Sequence, residues 1–280
     1  MNDSLRLFVQ KINKLPTIPV VARELLSVNN DDHVSVNILE KIVSKDPAIA
    51  AKIVGLSNAA FFGYKMTNPT IAGAIQKVGF TNVKNISLGI ALMTLFDDKH
   101  HKLAYDYGRI FKHCIATGFV ALRLADNLNI KTHDNLFLCG MLHDIGLLLL
   151  NSHFPDLYSK AAEIARERKN LLEAETLVLG FTHADIGAWI ADTWNLPNDI
   201  HEVILHHHTP SLAGKCKQNV ALIHVADHIT CRRFFCMIEQ AINFPLDPLA
   251  LFLLGVPEKN FDDLVSGIPD NVFEDGIFDS

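Results

Sequence analysis

Strand signals are almost missing from this chain: few segments alternate polar and apolar residues with period two, which excludes a fold built on sheets. The start, MNDSLRLFVQKINKLP, has no basic head, apolar stretch or small-residue cleavage site. No run reaches the roughly 18 to 20 apolar residues that span a bilayer. A cytoplasmic protein with no membrane partner is the expectation. The five cysteines (Cys114, Cys139, Cys216, Cys231, Cys236) are odd in number and form no CxxC pair, so they read as reduced, small core residues. Basic excess is missing too. Net charge is −6; residues 1–100 carry 11 Lys+Arg against 8 Asp+Glu, and residues 101–280 carry 14 against 23. That balance argues against a nucleic-acid partner and, in the second part, for binding cations.

What the chain does have is apolar residues at helical spacing nearly throughout. With 280 residues and 49% hydrophobic content, it can bury one large core or two ordinary ones. The fold class read from this is all-α. Helix starts are expected at Ser35 before VNILEKIV, at Asp46 with Pro47 before AIAAKIVGLSNAA, and at Thr70 before IAGAIQKVG. Between the last two, NAAFFGYKMTNPT is a Gly- and Pro-punctuated loop carrying Phe61, Phe62 and Tyr64. These aromatics either cover a groove or meet a partner, or they fold onto their own domain. The polar stretch DDKHHKLAYD sets a boundary near residue 100. The expected division is an N-terminal helical subdomain (1–100), a helical core (101–245), and a helical extension with an acidic tail (246–280).

One apolar run, GMLHDIGLLLL, is interrupted by His143 and Asp144. An imidazole beside a carboxylate in a core segment is costly unless both are paired or hold a cation. Further candidates recur along the acidic part. His113 lies on a long helix where Cys114, Ala116, Thr117 and Gly118 allow close helix approach, though by itself it reads as a core histidine bonded to a carbonyl. His183 follows Thr182, the expected cap, with Asp185 completing a capping box. HEVILHHHTP tempts toward the zinc-protease pattern HExxH, but His201 and His206 are five apart, about 500° of rotation, and face different ways. The three histidines ending that helix suit its macrodipole, yet exceed what capping needs. Asp227, in ALIHVADHIT with His224 and His228 around it, is a second carboxylate in an apolar helix. Together His113, His143, Asp144, His183, His206, His207 and Asp227 supply nitrogen and oxygen donors for one or two divalent ions, with Asp144 or Asp227 as a bridge. Such mixed donors suit Fe, Mn, Zn or Ni better than Mg or Ca. The alternative is a satisfied hydrogen-bond network without metal.

The order of these residues resembles the HD superfamily of metal-dependent phosphohydrolases. More specifically, LPTIPVVARELLSV, VSKDPAIAAKIVGLSNAAFFG, AIQKVGFTNVKNISLGIAL, FLCGMLHDIGLLLL, FTHADIGAWIADTWNLP and VILHHHTP resemble the HDOD family, an HD-related output domain of bacterial signalling proteins, from about residue 15 to 235. The resemblance implies an N-terminal helical subdomain packed on an HD-like helical core and a role in signal transduction. It also sets a contrast. The related HD-GYP phosphodiesterases carry a lysine four residues after the histidine of the HD pair and a GYP motif after their paired histidines; here Leu147 stands at the lysine position and HHHTPSLAGK has no GYP.

Two functions follow as expectations. One is a regulatory or scaffold module that binds a signalling protein, such as a sensor kinase or another regulator, and uses its HD site as a metal or ligand pocket. The other is a metal-dependent phosphohydrolase or phosphodiesterase acting on a nucleotide or cyclic nucleotide. No catalytic residue beyond the metal set is assigned.

Overall fold

Helices begin where short polar side chains can take up the free N–H groups of a first turn. The computed structural model describes residues 3–12, 15–28, 34–58, 66, 70–97, 104–132, 134–234 and 244–268, and the aromatic loop with Phe61, Phe62 and Tyr64 lies outside the described residues. In chain order the helices are α1 (Asp3–Val9), α2 (Val20–Ser27), α3 (Val34–Val43), α4 (Pro47–Ser57), α5 (Ile71–Val78), α6 (Phe80–Met93), α7 (Tyr107–Asn127), α8 (Leu136–Leu142), α9 (Ile145–His153), α10 (Pro155–Arg168), α11 (Leu171–Leu179), α12 (His183–Thr193), α13 (Asn198–His206), α14 (Lys217–Arg233), α15 (Pro248–Leu253) and α16 (Phe261–Ser266). No strand occurs among the described residues, so the protein is all-α. Asp46 Oδ1 accepts from the N–H groups of Ala48 (3.0 Å) and Ile49 (3.1 Å), with Pro47 first in α4. Thr70 caps α5 through Gly73 N–H at 3.0 Å. Ser35 is a correction: α3 already begins at Val34, so Ser35 stands inside the first turn rather than at its cap.

The described residues form two compact units, one from residues 17–95 with 266–268 and one from residues 3–16 with 96–265. In the first, α6 is the centre: Val83, Ile86, Leu88, Ile90 and Leu92 are buried, and α2, α4 and α5 pack on it.

The second unit differs from the sequence-based division at both ends. Residues 3–12 and 15–16 belong to it, because Phe8 on α1 packs its ring 4.5 Å from that of Phe154 and 4.9 Å from that of Phe181, and Trp194 Nε1 donates to the Pro16 carbonyl at 3.2 Å. At the other end α15 packs on α14. Inside this unit α7 lies against α8 and α14, and α12 against α9 and α13.

Two glycine contacts set those spacings. A Cβ on Gly140 of α8 would stand 2.5 Å from the Cα of Gly118 on α7; a Cβ on Gly146 of α9 would stand 2.0 Å from the carbonyl oxygen of His183 and 2.7 Å from the N of Gly187 on α12. Backbones touch at both points, one just before and one just after His143 and Asp144. The stretch Leu136–His153 is long and apolar enough to cross a membrane, but it is broken at that pair and 94% of it is buried inside the protein.

Candidate metal centre

The break between α8 and α9 is what turns the HD pair inward. His143 is still helical (φ −53°, ψ −35°), while Asp144 sits at φ −103°, ψ 19°, the sparsely populated bridge region. Both side chains are fully buried. His113 arrives from α7, His183 from the first turn of α12, His207 and His208 from just beyond α13, and Asp227 from α14.

Asp144 divides the cluster. Its Oδ1 lies 3.2 Å from His183 Nε2 and 3.6 Å from His207 Nε2, with His208 Nε2 a further 3.0 Å from that of His183. Its Oδ2 lies 3.0 Å from His143 Nε2 and 3.7 Å from His113 Nε2; His113 Nε2 in turn is 3.0 Å from Asp227 Oδ1. One lobe is therefore Asp144, His183, His207 and His208, the other Asp144, His113, His143 and Asp227. Donors bound at about 2.0 to 2.1 Å to a common ion stand roughly 3.0 to 3.4 Å apart, the range most of these separations occupy.

The outer ring nitrogens explain the aim of the inner ones. His143 Nδ1 faces the Gly140 carbonyl at 2.7 Å and His207 Nδ1 the Ile204 carbonyl at 2.8 Å. His183 Nδ1 faces the Glu175 carboxylate at 2.9 Å. With Nδ1–H donating outward, each neutral ring presents an Nε2 lone pair inward. Neither oxygen of Asp144, nor Nε2 of His207, has a hydrogen-bond partner of acceptable geometry. Buried acceptors without donors are suited to a cation, so the residues fit a divalent ion.

The buried carboxylates and imidazoles shift one another. Burial alone would raise Asp144, but His143, His183 and His207 outweigh it and hold the carboxyl well below its ordinary range. Burial likewise opposes charging His183, and Glu175 with Asp144 reverses this, so that imidazole lies well above its ordinary value. His207 is lowered by burial, and His208 is lowered further by burial and by the neighbouring imidazoles of His207 and His183.

Six of the seven residues proposed from the sequence come together here; His206 does not. It is half-buried at the end of α13 and belongs to no donor group, its place being taken by His208. Consecutive residues near a helix end turn about 100° apart, so three histidines in a row cannot all face one point. Three further residues escaped the sequence reading. Glu175 is fully buried and takes Tyr158 O–H at 2.6 Å and His183 N–H at 2.9 Å besides the ring. Cys231, one turn after Asp227, donates to its Oδ1 at 3.7 Å and lies 4.0 Å from His113 Nδ1, so one cysteine does border the cluster. His224 pins the corner: its Nδ1 donates to the His207 carbonyl at 2.7 Å and its Nε2 accepts from Asp247 N–H at 2.9 Å.

A cleft of about 400 Å³ reaches the cluster at His208. Leu172, Leu177, Phe244 and Pro245 give it apolar walls, with Glu173 at its edge. Phe244 stacks on His208, ring centres 4.3 Å apart and 19° from parallel, and its carbonyl is held by His228 Nδ1 at 3.0 Å.

Comparison with known proteins agrees with this fold. The family model for the HDOD domain matches residues 15–210. An uncharacterized protein of Treponema pallidum (strain Nichols) is 26% identical over 228 residues; the match takes in 78% of this chain and 42% of that protein, so the chain spans less than half of the relative's length. Among solved structures, an HDOD domain protein of unknown function from Geobacter sulfurreducens superposes with a TM-score of 0.76 at 21% identity, over 94% of this chain and 87% of the other. A protein from Shewanella amazonensis SB2B named "Putative phosphohydrolase" gives 0.72 at 20% identity, over 99% and 97%. At these identities the likeness shows the shared fold.

Proposed function

This chain belongs to the HDOD family, and from that premise we propose that it is a regulatory module in which His113, His143, Asp144, His183, His207, His208 and Asp227 would hold one or two divalent ions beside a ligand in the adjoining cleft. The observation that carries the reading is the donor set itself: two lobes sharing a buried carboxylate that has no hydrogen bond of its own. Iron, manganese, zinc or nickel suits these nitrogen and oxygen donors. A bound ion would supply positive charge against an anionic ligand atom entering beside His208. The protein's own residues do the rest: Glu175, the Gly140 carbonyl and the Ile204 carbonyl fix ring orientation, and Leu172, Leu177, Phe244 and Pro245 give the ligand an apolar wall.

Regulation is favoured over turnover by the absence of a second cation. Among the described residues lining the cleft none is Lys or Arg, and Arg168 is engaged with Glu173. Leu147, at the position where HD-GYP enzymes carry lysine, is fully buried in the core and cannot be exchanged for a charge without a large desolvation penalty. Occupancy of the site would then set which surface is offered to a signalling partner such as a sensor kinase or another regulator. Hydrolysis of a phosphoester, with a nucleotide as candidate substrate, is the second reading; the opening of the cleft onto His208 and the name of the Shewanella relative favour it.

One experiment separates the two. Elemental analysis of purified protein, beside a His143→Ala/Asp144→Ala double variant, is paired with a phosphoester panel that includes nucleotides and cyclic nucleotides. Stoichiometric metal that the double variant loses, with no turnover on the panel, is the expected result. Turnover abolished by Asp144→Asn would replace the regulatory reading with the enzymatic one, and metal-free native protein would overturn both.

A further inference from the structure

One chemistry-bearing side chain beside the cluster takes no part in the proposed ligand set, the thiol of Cys231. On α14 it follows Asp227 by four residues, one helical turn along the same face. Both side chains meet His113, which α7 brings against α14. Sγ of Cys231 lies 3.7 Å from Asp227 Oδ1 and 4.0 Å from His113 Nδ1. One donor atom from each of the three residues falls within 4.8 Å of the other two. His113 and Asp227 are buried and Cys231 is half-buried, so bulk water competes little for these donors.

An ion about 2.3 Å from sulfur and about 2.0 to 2.2 Å from oxygen or nitrogen sets tetrahedral donors roughly 3.5 to 3.7 Å apart. The sulfur–oxygen separation already stands in that range. The sulfur–nitrogen one is wider by about 0.4 Å, which a turn of the Cys231 side chain within its rotamer well closes. A cysteine serving only as a small core residue needs no such neighbours, whereas this sulfur is set against an oxygen and a nitrogen of the cluster. A hydrogen-bonded thiol also accounts for the contact with Asp227. Coordination differs from it in one respect: the S–H proton leaves to solvent and a metal–sulfur bond takes its place.

We propose that Cys231, Asp227 and His113 form a thiolate-containing metal site on the α14 side of the cluster. Such a site rests on the reading that the cluster holds divalent metal, and it adds a sulfur donor to a set of nitrogens and oxygens. His113 and Asp227 also face His143, and His113 faces Asp144, so an ion at this end takes one side or the other according to its softness. Zinc and cobalt(II) are drawn to the thiolate, whereas manganese stays with the nitrogen and oxygen donors.

The test is titration of the full chain, stripped with chelator and kept reduced, with cobalt(II). Near-ultraviolet and visible absorption are recorded, and bound cobalt is counted by elemental analysis. A thiolate bonded to cobalt gives an intense sulfur-to-metal charge-transfer band in the near ultraviolet, which nitrogen and oxygen donors do not. That band is expected to grow together with the visible ligand-field bands. It should vanish in Cys231→Ser and in Cys231→Ala, with ligand-field bands kept and the thermal midpoint in chelator close to that of the native chain. In competition between zinc and manganese, Cys231→Ser should lower the preference for zinc by at least about tenfold. Bound cobalt without the charge-transfer band, or a band that survives in Cys231→Ser, would overturn the sulfur assignment and leave the metal reading standing. A native chain that binds no cobalt, zinc or manganese would overturn both.

Discussion

Substitution of Gly146 by alanine tests whether helix spacing sets the metal centre. The added Cβ would lie 2.0 Å from the His183 carbonyl oxygen and 2.7 Å from Gly187 N, both backbone atoms that cannot rotate aside. Restoring ordinary contact, 3.4 Å at the closest, requires α9 and α12 to part by about 1.4 Å at this point. His183 rides on α12, and its Nε2 stands 3.2 Å from Asp144 Oδ1 across the same gap. Coordination distances tolerate only about ±0.2 Å, so the lobe of His183, His207 and His208 should lose metal affinity by about a hundredfold. Overpacking of this kind costs about 1 to 3 kcal/mol, with the upper end expected where backbone meets backbone. Urea denaturation in chelator reads the stability, and isothermal titration of a chelated sample with metal reads the affinity. Gly214→Ala is the control, because its Cβ would meet nothing nearer than Glu202 Oε1 at 3.4 Å. A Gly146→Ala protein with unchanged denaturation midpoint and full metal affinity would refute the link between helix contact and ligand geometry.

Three further outcomes follow from the site. His208→Ala should lower metal stoichiometry and His206→Ala should leave it unchanged, measured by elemental analysis, since only His208 stands within the donor group. Glu175→Gln should weaken metal binding by about 10- to 100-fold by titration calorimetry, because it removes the charge that orients and enriches the His183 ring. Metal affinity should rise with pH through neutrality: His183 is held above its ordinary value in the ion-free protein, so an ion binding at pH 7 must displace a proton, and calorimetry in buffers of different ionisation enthalpy should record that release.

Local signals were the most legible part of the sequence. Asp46 and Thr70 cap where their side chains say they should, because an N-cap is decided by a few adjacent residues. The all-helical class was legible for a similar reason, apolar periodicity being a property of each segment alone. The membership of α1 in the second unit was not. A seven-residue helix with Leu5 and Phe8 buried can be claimed by any neighbouring core, and only the rings of Phe154 and Phe181 show which one holds it. The choice of His208 over His206 was equally closed to sequence, since it depends on where α13 ends and on the hold of His224 on the His207 carbonyl. Glu175 was within reach. It lies in the apolar run LLEAETLVL, and the reasoning that singled out Asp144, a carboxylate in a core segment needing donors, applies to it unchanged.

A buried network of hydrogen bonds and a metal centre would share most of these residues, and the proton count decides between them. Nδ1 of His143 and of His207 is spent on a backbone carbonyl, and that of His183 on Glu175, so a bond to Asp144 needs a second proton on the inner nitrogen. His183 and His143 are both raised toward carrying one. His207 is pushed the other way by burial, stays neutral, and leaves its Nε2 lone pair 3.6 Å from a carboxylate oxygen, two acceptors facing each other in a place without water-exposed escape. Two acceptors so placed repel unless a cation stands between them. The next imidazole out, His208, is lowered even more strongly, so neither ring of the row His207–His208 is driven to take a second proton where the cleft arrives. Protons can serve the lobe of His143, whereas the lobe of His207 sets two buried acceptors face to face, an arrangement that a bound cation would satisfy.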